Sequence, residues 1–182
     1  MNLDRYFIPA LETTKSVRGD RVVVYDKNHQ KKIHRKLSDF KEIKLDSSTI
    51  SQFKSKAHMM KYIHPDGSIV DDDYFGPSKV ISVGWIDKSV NPPRLVSCAS
   101  IYTFKSKIKM LSAFEITPYY RGSGLSEQIL KHLMDKYGVN ELNVLKENRV
   151  AIDLYKKLGF KIVQIWEGSG DFRMALHGQD LR

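Results

Sequence analysis

Three apolar, β-rich runs follow one another closely between Lys79 and Thr117: "KVISVGWID", "RLVSCASIYTF" and "KIKMLSAFEIT". The linking stretches "KSVNPP" and "KSK" are too short for a crossover helix, so the runs are expected to pair as an antiparallel meander. The period then changes. After Gly122-Ser123-Gly124, the residues Leu125, Ile129, Leu133, Met134 and Tyr137 share one helical face, and Gly138 stands where a C-cap belongs. "NELNVL" reads as a short strand. "NRVAIDLYKKLGF" reads as an amphipathic helix with Val150, Ala151, Leu154 and Leu158 inward and Gly159 just past its end. Two closing strands, "FKIVQIW" and "FRMALH", flank the turn "EGSGD". The expectation is an α/β (α+β) fold built on a mixed, mostly antiparallel sheet.

Upstream, "RVVVYD", "KNHQ" and "KKIHRKL" suggest a strand, a polar turn and a returning strand. "LDSSTISQFKSKAHMMKYI" carries Ile50, Phe53, Ala57, Met60 and Ile63 at helical spacing behind Ser/Thr capping residues. "HPDGSIVDDDYFGPS" is a loop by its Pro, Gly and Asp content. No repeat, low-complexity tract or linker divides the chain. Its 182 residues are expected to form one domain, with 1–78 as a distinct N-terminal part.

Composition narrows the function classes. Hydrophobic content of 41% and charged content of 28% belong to a globular chain rather than a disordered one. No apolar run approaches the roughly 20 residues of a membrane helix. The N-terminus lacks the basic start and apolar core of a secretory signal. Cys98, the single cysteine, has no internal disulfide partner and no metal-ligand spacing, so it is expected inside a strand. A cytoplasmic protein without metal is expected. The net charge of +9 favours an anionic partner, a class that spans nucleic acid, phosphorylated cofactors and acidic protein surfaces.

The segment "RGSGLS" (121–126) carries more chemistry. Glycines 122 and 124 allow a tight turn whose N–H groups converge at a helix N-terminus, where the dipole favours negative charge. Arg121 adds a full positive charge and Ser126 a hydroxyl. The physical product is a cradle for a diphosphate. A Walker A loop would need Gly-Lys-Ser/Thr, which is absent. A dinucleotide fingerprint would need a third glycine where Glu127 stands. A plain structural turn is the remaining alternative.

Taken together, "ITPYYRGSGLS" and "NRVAIDLYKKLGF" resemble the GNAT superfamily of N-acetyltransferases. The first matches the family's acetyl-CoA signature as Arg121-Gly122-Ser123-Gly124-Leu125-Ser126. The second matches its later signature as Asn148, Ala151, Leu154, Tyr155, Gly159 and Phe160. The resemblance spans residues 79–176, with Ser126 in place of the commoner Gly or Ala, and leaves 1–78 unmatched, where such enzymes often build the acceptor pocket.

This resemblance implies a pair of splayed strands and an acetyl-CoA co-substrate. The backbone of Phe114, Glu115 and Ile116 would pair with the pantetheine amides as an added strand does. The N–H groups from Arg121 to Ser126, through Gly122, Ser123, Gly124 and Leu125, would hold the pyrophosphate. Asn148 would bond the cofactor arm, although plain N-capping also accounts for it. Tyr155 would act as general acid toward the departing sulfur, its alternative role being a buried phenol. Glu115 lies on the right strand for a general base, but its side chain could also face away or pair with a cation. Asn143 cannot act as a base, and His58, His64 and Asp71–Asp73 are expected on surfaces or loops.

The resemblance leaves the amine acceptor open between a small molecule and a protein, and homodimer pairing is common among such proteins. Two alternatives stand beside it: a non-catalytic acyl-CoA-binding or protein-interaction module, and an acetyltransferase acting on an RNA-linked amine.

Overall fold

The computed structural model describes residues 14–18, 21–25, 31–32, 35–53, 57–68 and 77–176. Strands β1 (Thr14–Arg18), β2 (Arg21–Tyr25) and β3 (Lys31–Lys32) form a small antiparallel sheet of their own. The two strands expected there are present as β2 and β3, with one more strand ahead of them, and the turn expected at 27–30 lies outside the described residues. The chain continues through β4 (Lys41–Lys44), α1 (Ser47–Phe53), β5 (Lys79–Asp87), β6 (Arg94–Thr103) and β7 (Lys109–Ile116). Then come α2 (Leu125–Tyr137), β8 (Glu141–Val144), α3 (Arg149–Lys157), β9 (Phe160–Ile165) and β10 (Phe172–Leu176).

The short connections bring β5, β6 and β7 together as the expected antiparallel meander. They occupy the middle of a seven-stranded mixed sheet of order β4-β5-β6-β7-β8-β10-β9. The pairing of β7 with β8 is parallel, because α2 crosses over between them; the other rungs of this sheet are antiparallel.

Alternation along the strands sends side chains to two cores, one on each face. On one face, Val83, Trp85, Ala99, Ile101 and Leu111 meet Leu125, Ile129, Leu130 and Leu133 of α2 and Ile152 and Tyr155 of α3. On the other, Cys98, Leu95 and Ala113 meet Leu45, Phe53, Ala57, Met60 and Ile63. Cys98 is wholly buried within β6, and its thiol is pushed up to about 12 by burial first and the nearby Glu115 charge second.

Two helix expectations need correction. The apolar positions from Ile50 to Ile63 do not lie on one helix. Asp46 Oδ1 accepts the Thr49 N–H at 2.9 Å and caps α1, whereas Ala57 is extended at φ −143° and ψ 137° and starts a separate 3₁₀ turn, His58–Tyr62. Two short helices still deliver Phe53, Ala57, Met60 and Ile63 to one core, so the burial pattern survives the break.

In α3 the inward face is rotated. Ile152 and Tyr155 are the buried residues, Ala151, Leu154 and Leu158 pack at their margin, and Val150 is 83% exposed. Val150 sits in the first turn of α3 and faces solvent. The loop residues Asp71–Asp73 lie outside the described residues. Among the described residues no helix is long and apolar enough to cross a membrane.

These positions differ in what truncation should cost. Leu133→Ala should lose about 2–5 kcal/mol, as a fully enclosed leucine does. Val150→Ala should stay within about 0.5 kcal/mol. Urea titration with an unchanged m-value would show both.

Candidate active site

β7 and β8 start out as neighbours and then part. Their ladder holds only Met110 with Glu141 and Leu111 with Leu142. Beyond that rung β7 runs on to Ile116 and β8 to Val144 without pairing to each other. A bulge in the β6–β7 ladder falls at Ser112, the first β7 residue past the rung, and so re-aims the strand where the two separate.

The gap exposes backbone groups of known direction. Thr117 N–H donates to the Val96 carbonyl at 2.9 Å, and the Glu115 carbonyl accepts Ser97 Oγ at 2.7 Å, so these peptides face β6. Antiparallel ladders alternate, which turns the N–H groups of Phe114 and Ile116 toward the side that β8 has left. Of the three backbone positions expected to line the gap, Glu115 therefore presents its main chain to β6 instead.

At the end of β7 the chain makes a 3₁₀ turn, Pro118–Tyr120, then the glycine turn, then α2. Gly122 and Gly124 lie at φ 74° and 78°, in the left-handed region that side chains disfavour. Among the described residues no backbone acceptor takes the N–H groups of Gly122, Gly124, Leu125 or Ser126. They gather at the N-terminus of a 13-residue helix, a physical setting for an anion.

Arg121 is turned back onto β7. Its Nε donates to the Ile116 carbonyl at 2.8 Å and its Nη2 meets Glu115 Oε1 at 3.0 Å. The other Glu115 oxygen accepts the Met59 N–H at 2.8 Å, in the 3₁₀ turn that follows α1. Glu115 thus ties the N-terminal segment to the head of the glycine turn. Each of its oxygens is therefore engaged, and the carboxylate joins two segments that are far apart in sequence.

α3 places Tyr155 in the core that it shares with α2. The residue is 8% exposed, and its ring meets Phe160 edge-on with centroids 6.1 Å apart. Among the described residues nothing bonds its hydroxyl. Burial pushes its pKa up to about 12, so the phenol keeps its proton across the neutral range. Asn148 caps α3, its side chain accepting the Ala151 N–H at 3.3 Å.

On the opposite face of β8, Asn143 accepts Trp166 Nε1 at 3.3 Å, just past the last rung. His58 and His64 are exposed, as expected. Among the described residues no group of three His, Cys, Asp or Glu side chains could hold a metal. Sequence reasoning passed over Asp87, Met59 and Trp166. Only Asp87 left a trace, as an acid closing an otherwise apolar strand.

The model of the acetyltransferase (GNAT) family matches residues 52–160, more than half of the chain. The chain belongs to that family. Its members are acetyltransferases, and the seven-stranded mixed sheet with its helices matches their fold.

Solved structures agree on this fold. NAA60 of Arabidopsis thaliana in complex with a bisubstrate analogue is 12% identical with a TM-score of 0.53, over 75% of this chain and 98% of that one. Spermidine N-acetyltransferase of Vibrio cholerae, with CoA and spermine, is 14% identical at a TM-score of 0.51, over 75% and 93%. The ribosomal-protein-S18-alanine N-acetyltransferase of Escherichia coli is 21% identical at 0.50, over 79% and 99%. No curated protein sequence matches the chain.

The buried phenol has a measurable consequence. An unfolded tyrosine titrates near 10 and the folded Tyr155 at about 12, so its contribution is complete below the first value and is lost as pH rises through the second. Urea titrations between about pH 9 and about pH 12 should show stability falling, and Tyr155→Phe should flatten that fall.

Proposed function

We propose that the chain is an acetyl-CoA-dependent N-acetyltransferase in which a primary amine attacks the thioester directly, with both substrates bound together. The parting of β7 from β8 carries this reading: it leaves inward N–H groups beside a helix N-terminus whose own N–H groups have no backbone acceptor among the described residues. A chain with an amide-bearing arm and a diphosphate fits both features at once, as CoA does.

Each role follows from position. Phe114 and Ile116 offer main-chain groups to the pantetheine amides in the manner of strand addition. The N–H groups of Gly122 to Ser126 receive the diphosphate, with Arg121 at their head. Asn148 keeps its amide N–H₂ for the cofactor arm, since its oxygen is taken by the cap. As the amine attacks, negative charge grows on the carbonyl oxygen, and the Ile116 N–H is aimed to stabilise it.

Tyr155 faces the departing sulfur as a hydrogen-bond donor and, as charge builds there, as general acid. Its raised pKa ensures that the proton is present to give. Glu115 acts through Arg121 and Met59, and the amine's proton leaves by another route.

Two of the similar structures are named for different acceptors, spermidine and the alanine of a ribosomal protein. The engagement of both Glu115 oxygens supports a second reading, a protein that binds acyl-CoA without turning it over.

A panel of amines, with thiol release followed spectroscopically, separates the two. Tyr155→Phe should lower kcat by about 10²-fold or more, the usual worth of a general acid, while CoA affinity holds within about twofold. Unchanged turnover would remove Tyr155 from the chemistry. CoA binding with no thiol released to any amine would favour the non-catalytic reading.

A further inference from the structure

Asp87 ends β5 and is only 2% exposed, yet its carboxylate is among the most heavily bonded groups of the described fold. Oδ1 accepts the Ser89 N–H at 2.9 Å and its hydroxyl at 2.6 Å. Oδ2 accepts Arg35 Nη1 at 2.9 Å and the Tyr120 hydroxyl at 2.8 Å. Burial alone would raise the carboxyl's pKa, but the bonds from Ser89 and Tyr120, with the Arg35 charge, outweigh it and hold it low.

Tyr120 is the residue directly before Arg121, and it is fixed at four places. Its hydroxyl is on Asp87, and its ring packs edge-on against Phe40, with centroids 5.6 Å apart. Its N–H donates to the Thr117 carbonyl at 2.9 Å. Its own carbonyl accepts Ser123 Oγ at 2.7 Å, from inside the glycine turn.

This matters because of what lies beyond. Glycines at 122 and 124 give the turn wide conformational freedom of its own. A phosphate site needs its N–H groups held in one direction before the ligand arrives. The bonds through Tyr120 supply a rigid post on one side of the turn, and α2 supplies the other. We infer that Asp87 and Tyr120 are positioning residues for diphosphate recognition, acting through Tyr120 and Ser123 on the glycine turn without touching the substrate. The inference rests on reading that turn as the CoA diphosphate site.

Calorimetric titration of the full chain tests it, with CoA as one probe and pantetheine, which has no diphosphate, as the other. Tyr120→Phe removes only the hydroxyl. It should weaken CoA about tenfold, the loss of roughly one charge-assisted hydrogen bond, and leave pantetheine within about twofold. Ser123→Ala frees the turn from the same post and should weaken CoA in the same selective way, so the inference stays testable if Tyr120→Phe folds poorly.

Ser89→Ala takes a bond from the far side of the same carboxylate. It should lower the melting temperature while CoA affinity holds within about twofold. Equal weakening of both probes, by Tyr120→Phe or by Ser89→Ala, would overturn the positioning role and leave Asp87 a fold contact. So would CoA binding unchanged in both Tyr120→Phe and Ser123→Ala. A native chain that binds no CoA would sink the functional reading itself.

Discussion

A sheet that opens in its middle must leave backbone N–H and C=O groups without strand partners, and buried groups of that kind are costly. Here the opening follows the single β7–β8 rung pair and is steered by the bulge at Ser112. The fold tolerates it because the rest of the sheet is well anchored. β5, β6 and β7 form long antiparallel ladders, while Glu141, wholly buried on β8, holds Arg173 of β10 through two short bonds to Oε2. The strands on either side are tied to their outer neighbours, so the gap stays local.

The cores on the two faces do the same for the helices. α2 is pinned through Leu125, Ile129, Leu130 and Leu133, which sets the direction of its first turn and hence of the free N–H groups there. α3 is pinned through Ile152 and Tyr155, so the residue offered for chemistry is also a core residue. One phenol ring therefore serves packing with its edges and face while its hydroxyl lacks a partner among the described residues. In the proposed role burial and chemistry do not compete at this position, since burial is what keeps the proton on the oxygen.

Much of this was legible in residue order because it depends on local geometry. The meander follows from turns too short to cross over. Gly122, Gly124 and Gly138 all adopt positive φ because the chain reverses or caps at those points, and a glycine there announces it. The partnering of long side chains was not legible. Glu115 on Arg121 and Met59, Asp87 on Tyr120 and Arg35, and Asn143 with Trp166 join residues 6 to 56 positions apart. The single helix read from Ile50 to Ile63 failed for a related reason, since a 3–4 spacing of apolar residues also suits two short helices lying on one sheet face.

Residue order by itself determined the strand meander, the glycine turn ahead of a helix, and the pair of motifs that mark the family, since each is a matter of spacing along the backbone. Tertiary structure alone decided that β8 leaves β7 after two rungs, that Tyr155 is enclosed, and that the Glu115 carboxylate is already occupied. Those outcomes depend on which distant groups meet and how much water they exclude, and neither quantity is written in the spacing of residues.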